Sequence, residues 1–99
     1  MSEDAFSFAP PPFKPGEALL QLRRSLRDLG LSERGDGFEL RGRRVIEFAQ
    51  QPESIDVKLA RRPALSPEWE PRVLRSAADQ RKLVDEIRKR LERWTREDT

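Results

Sequence analysis

Histidine, cysteine and tyrosine are all missing from this chain of 99 residues. Without histidine the chain lacks the side chain that most often moves protons near neutral pH, and without cysteine it lacks a thiolate. The same two absences remove the usual soft ligands for zinc, copper and iron. Most nucleophile–base pairs draw on this set, so the enzyme classes built on such pairs are excluded. Disulfide staples are excluded as well, which fits a reducing compartment. No apolar run is long enough to span a bilayer, and Met1-Ser2-Glu3-Asp4 opens with acids where a secretory leader carries bases. The expectation is one small cytoplasmic domain, not an enzyme, with no cofactor, no metal and no membrane association.

What is present is charge. Charged residues make up 38% and apolar ones 35%, yet the net charge is only +2. Its distribution is uneven. Glu3 and Asp4 stand in the first thirteen residues without a base, and Glu97 and Asp98 close the chain. Between residues 14 and 96 the bases outnumber the acids by six, an excess that favours an anionic partner. Both signs are nonetheless interspersed along most of that stretch, as on a solvated surface.

Residues 1–14 read as a disordered tail. Pro10-Pro11-Pro12 and Pro15 favour an extended chain, while Phe6, Phe8 and Phe13 supply three of the five phenylalanines. A first helix is expected from Pro15 to Leu29, where Ala18, Leu19, Leu22, Leu26 and Leu29 share an arc of about 100°. Gly30 is its C-cap and Leu31 the accompanying apolar contact. Ser32-Glu33-Arg34-Gly35-Asp36-Gly37 is a loop by composition. Phe38 to Ala49 reads as a hairpin turning at Arg41–Arg43, with Leu40, Ile46 and Phe48 buried. Ser54 to Ala60 is the cleanest strand, Ile55, Val57 and Leu59 facing one way and Asp56 and Lys58 the other. Pro63, Pro67 and Pro71 forbid a helix or a central strand over 61–75, leaving an edge strand around Trp69 to Leu74 as an option. Ser76 and Asp79 match a capping box for a second helix from Ala77 to about Trp94, with Leu83, Val84, Ile87, Leu91 and Trp94 as its apolar stripe. The expected fold class is α+β: a three- or four-stranded antiparallel sheet with two helices on one face, in the order α-β-β-β-(β)-α. It occupies residues 15–95 as a single domain, with 96–99 frayed.

No catalytic constellation emerges. Asp85 and Glu86 are placed to pair with Lys89 and Arg90 at i,i+4, which leaves them solvated and ionised. Gly35-Asp36-Gly37 lacks the lysine and the following helix of a phosphate-binding loop, and no calcium-loop pattern surrounds Asp36. Arg34-Gly35-Asp36 spells an integrin-binding tripeptide, but its glycines serve a turn.

Two binding readings remain. Phe6, Phe8, Phe13 and Trp69, the last between Glu68 and Glu70 in a proline-bounded segment, are candidate anchors for a protein partner. Arg41, Arg43 and Arg44, with Arg61 and Arg62 and with Arg72 and Arg75, could instead form a basic edge for phosphates. The order helix, three strands, helix over residues 15–94 resembles that of the double-stranded RNA-binding domain. That resemblance implies phosphate contacts from the start of the second helix, where this chain has Ala77-Ala78-Asp79-Gln80-Arg81-Lys82. The leading expectation is a non-enzymatic accessory or protein-interaction domain, a monomer or weak homodimer. The alternative is electrostatic binding of a nucleic-acid backbone, double-stranded RNA or DNA.

Overall fold

A computed structural model describes residues 12–97. Helix α1, Pro15–Asp28, begins with proline at its first position, where a missing N–H is harmless, and buries Ala18, Leu19, Leu22 and Leu26. It ends as its glycine demands. Gly30 takes φ 94°, its N–H reaches the Arg27 carbonyl at 2.9 Å, and the Leu31 N–H reaches back to the Leu26 carbonyl at 3.2 Å. Those two bonds satisfy carbonyls the helix leaves open, and Leu31 drops into the core beside them.

Five strands follow: β1 (Ser32–Arg34), β2 (Gly37–Leu40), β3 (Arg43–Gln50), β4 (Ile55–Ala60) and β5 (Trp69–Leu74). They form one antiparallel sheet in chain order, each strand bonded to its sequence neighbours. The expected count of three or four is therefore corrected to five. The proline-containing segment at Trp69–Leu74 is an edge strand, and Ser32–Arg34, expected as loop, pairs with β2. Its exposed polar residues carry no apolar alternation, so only the hydrogen bonds to β2 define it. Gly35 at φ 59° opens its two-residue turn, and the next turn uses Arg41 at φ 53° and Gly42 at φ 81°.

The β2–β3 register shifts between Phe38 and Glu39, so Val45 has no partner opposite. This bulge turns Val45 and Ile46 to the same side, and both are fully buried. Phe38 is buried with them, whereas Leu40, expected inside, is only half-buried. On β4 the alternation holds as read, with Ile55, Val57 and Leu59 inward.

Helix α2, Ala77–Glu97, is capped reciprocally. The Ser76 hydroxyl accepts from the Asp79 N–H at 3.1 Å, and the Asp79 carboxylate accepts from the Arg75 N–H at 2.9 Å. Both helices pack on the inward face of the sheet, side by side, with Gln80 in the first turn of α2 bonded to Gln21 in the middle of α1. Among the described residues, no helix lies on the opposite face of the sheet.

Candidate functional site

Strand β5 shows how the two faces differ. Glu70, Arg72 and Leu74 alternate toward α2. Glu70 accepts from Arg90 at 2.5 Å, and Arg72 donates a forked pair of bonds to Glu86 at 3.1 and 2.7 Å. Arg90 also donates to Glu86 at 2.9 Å and to the Ala60 carbonyl at 2.9 Å, tying the helix to two strands. The Arg90 bond holds the Glu70 carboxyl below its ordinary range; the Arg72 bonds, helped by the charge of Arg90, do the same for Glu86. Glu86 in turn raises Arg72. Arg72 is thus turned toward a helix and engaged by its carboxylate, although its side chain stays 36% exposed.

The side chains at positions 69, 71 and 73 fall on the helix-free side, opposite Ala60, Lys58 and Asp56 of β4. Trp69 is half-buried and packs against the core, Pro71 is exposed and Val73 is 39% exposed. The loop leading into β5 adds Leu65, which is 87% exposed. Trp69, Pro71 and Val73 make an apolar edge beside the charged strip of β4. Phe13 is half-buried and packs against the core at the N-terminal ends of the two helices, near Arg75 and Ala77. It stands at the far end of β5 from Trp69, about 20 Å along a six-residue strand, so Phe13 and Trp69 form no common surface. Phe6 and Phe8 lie outside the described residues.

The arginines expected to form one basic edge are dispersed to four places. Arg44 lies on the helix-free face across Gly37, donating to Asp36, to the Arg34 carbonyl at 3.1 Å and to Glu47 at 2.6 Å. Arg72 is held by Glu86, as above. Arg75 sits past the end of β5, next to the capping box. Arg41, Arg43 and Arg62 do converge, with Arg61 directly beside them in the chain. The β2–β3 turn, the loop after β4 and the last turns of α2 enclose a cleft of about 420 Å³ lined by Leu40, Arg41, Arg43, Arg62, Pro63, Trp94 and Glu97.

On the other sheet edge, Glu33 of β1 accepts from Arg23 and from Arg27 of α1, the latter at 2.6 Å, and the Arg23 bond leads in lowering its carboxyl. All three perturbed carboxylates are therefore pushed toward the ionised form, the wrong direction for a general acid. Among the described residues no three carboxylates gather as metal ligands. Nor is any helix there long and apolar enough to cross a membrane.

Trp94, Pro63 and Val73 were not legible as surface-forming residues. Trp94 belongs to the apolar stripe of α2 and is buried, yet it also lines the cleft. Val73 could have been found by extending the two-residue alternation from Trp69 through Pro71. No family model, curated protein sequence or solved structure matches this chain.

Proposed function

We propose that the protein is a non-catalytic protein-interaction domain that engages its partner along the β5 edge of the helix-free face. The observation that carries this reading is the apolar row Trp69, Pro71 and Val73, displayed away from the helices and bordered by Lys58 and Asp56. Aromatic anchors with a polar rim are the usual anatomy of such surfaces. Pro71 has no N–H to offer a further strand, which favours docking on the face over extension of the sheet. The directions in which Glu33, Glu70 and Glu86 are shifted also support a binding role over carboxylate catalysis.

The nucleic-acid alternative draws less support. A backbone track needs contiguous unpaired cations, and Arg44 and Arg72 are held in ion pairs while Arg75 lies at the other end of β5. Two measurements test the assignment. Affinity capture from the native host compares the natural chain with a Trp69→Ser/Val73→Lys variant; a partner retained by the first and lost by the second is expected, and an unchanged capture profile overturns the reading. A salt series with duplex RNA follows: affinity falling steeply with salt would install the alternative instead.

A further inference from the structure

We propose that the cleft at the end of the sheet binds the phosphoryl group of a small organic phosphomonoester. The argument starts from convergence. The β2–β3 hairpin brings Arg41 and Arg43, and the loop after β4 brings Arg62, to the wall of one cleft, with Glu97 as the acid among its lining residues. Arg43 and Arg62 form no ion pair with a described residue, whereas Arg23, Arg27, Arg44, Arg72 and Arg90 all do. The fold satisfies its structural arginines with carboxylates and leaves these two turned to a concavity.

The chemistry of the lining selects the ligand. Arg43 and Arg62, neither in an ion pair with a described residue, set two guanidinium groups against the single Glu97 carboxylate, a positive balance that favours an anionic group such as the phosphate of a monoester. The planar fork of arginine fits phosphate oxygens in pairs. Leu40, Pro63 and Trp94 add an apolar wall for the carbon skeleton the phosphate is attached to. The volume of about 420 Å³ lies within the range of about 300–1,000 Å³ typical of small-ligand sites.

Arg41 supplies a second observation. It occupies a left-handed turn position at φ 53°, where asparagine or glycine is the unstrained choice. The strain places a cation at the cleft, and backbone strain of this kind clusters at ligand-binding positions.

The test is calorimetric titration of the full chain with phenyl phosphate, inorganic phosphate, benzoate and an RNA duplex, alongside ¹⁵N spectra of the arginine Nε–H groups. Phenyl phosphate is expected to bind tightest of the four, with inorganic phosphate weaker because it forgoes the apolar wall. Arg43→Ala and Arg62→Ala, both exposed positions, are each expected to weaken phenyl phosphate about tenfold with the melting temperature unchanged. Arg43→Lys is expected to fall between, keeping charge without the fork, and Glu97→Gln to tighten binding. Silence of the Arg43 and Arg62 resonances under millimolar phenyl phosphate overturns the proposal. So does equal affinity in the alanine variants, or tighter binding of the RNA duplex lost in the same variants, which would make this end of the sheet a nucleic-acid interface. Only the RNA-duplex outcome bears on the reading of the β5 face, by favouring its nucleic-acid alternative; silence of the resonances or equal affinity in the alanine variants leaves that reading to its own variants.

Discussion

Replacing Gly37 by alanine is expected to damage this fold more than any other single methyl addition at its glycines. A Cβ built on Gly37 would stand 2.1 Å from the Ile46 carbonyl oxygen and 2.9 Å from an Arg44 guanidinium nitrogen. The guanidinium is the end of a flexible side chain and can swing away. The carbonyl cannot: it belongs to the backbone of the bulge, between fully buried Val45 and Ile46 on one side and the Phe48 N–H, bonded to the Asp36 carbonyl at 2.8 Å, on the other. Relieving the contact means displacing one strand by about 1 Å, and overpacking of this kind costs about 2–3 kcal/mol. For a domain of this size that is a fall of about 8–24 °C in melting temperature. Urea unfolding followed by tryptophan fluorescence measures it. The same substitution in an Arg44→Ala background separates the two contacts, since a backbone clash persists there and a side-chain clash vanishes. A loss below about 0.5 kcal/mol in either background, within the ordinary range of surface substitutions, refutes the reasoning. The bulge also sets the twist of the hairpin that presents Arg41 and Arg43, so the Gly37→Ala protein is expected to show shifted resonances for both.

Three further outcomes follow. Arg90→Met keeps the stem of the side chain but strips the Ala60 carbonyl of its donor; a loss of about 1–3 kcal/mol in chemical unfolding is expected, with Arg90→Lys recovering part of it. Stability is expected to be level between about pH 5.5 and 8, since no ionisable side chain is buried among the described residues. Below that range it declines. Glu33, Glu70 and Glu86 sit below their ordinary value of 4.5 when folded, so their contribution is complete above it and is lost as pH falls through the depressed values; a pH series of melting temperatures that instead rose toward pH 4 would contradict the ion pairs. Arg41→Asn removes a left-handed arginine, so it is expected to raise stability by about 1 kcal/mol in chemical unfolding while weakening phenyl phosphate binding, and a destabilised variant would show that the side chain anchors the turn.

Much of the architecture was legible because its elements carry strong local signals. Pro15 and Gly30 bound α1 where the structure places its ends, Ser76 and Asp79 cap α2, and the alternation at Ile55, Val57 and Leu59 puts β4 over the helices. Strand β1 was hidden because Ser32, Glu33 and Arg34 are all exposed, so no periodicity marks them. The burial of Val45 was hidden because a bulge breaks the period of two on which strand reading rests. The cleft was half visible. Proximity of the hairpin tip to the loop after β4 follows from strand order, but which arginines pair with acids depends on the face each strand turns to α2, and that separates Arg72 from Arg62.

Because each strand bonds only to its neighbours in the chain, the sheet can assemble hairpin by hairpin, and such local topology favours rapid folding. The contact that joins distant parts is the docking of α1 against α2, Gln21 meeting Gln80 across 59 positions. On the ribosome, then, α1 is already at hand to cover β3, whereas β5 waits without its cover until α2 emerges. The meander is complete before the second half of the layer that keeps it from sticking to other nascent chains.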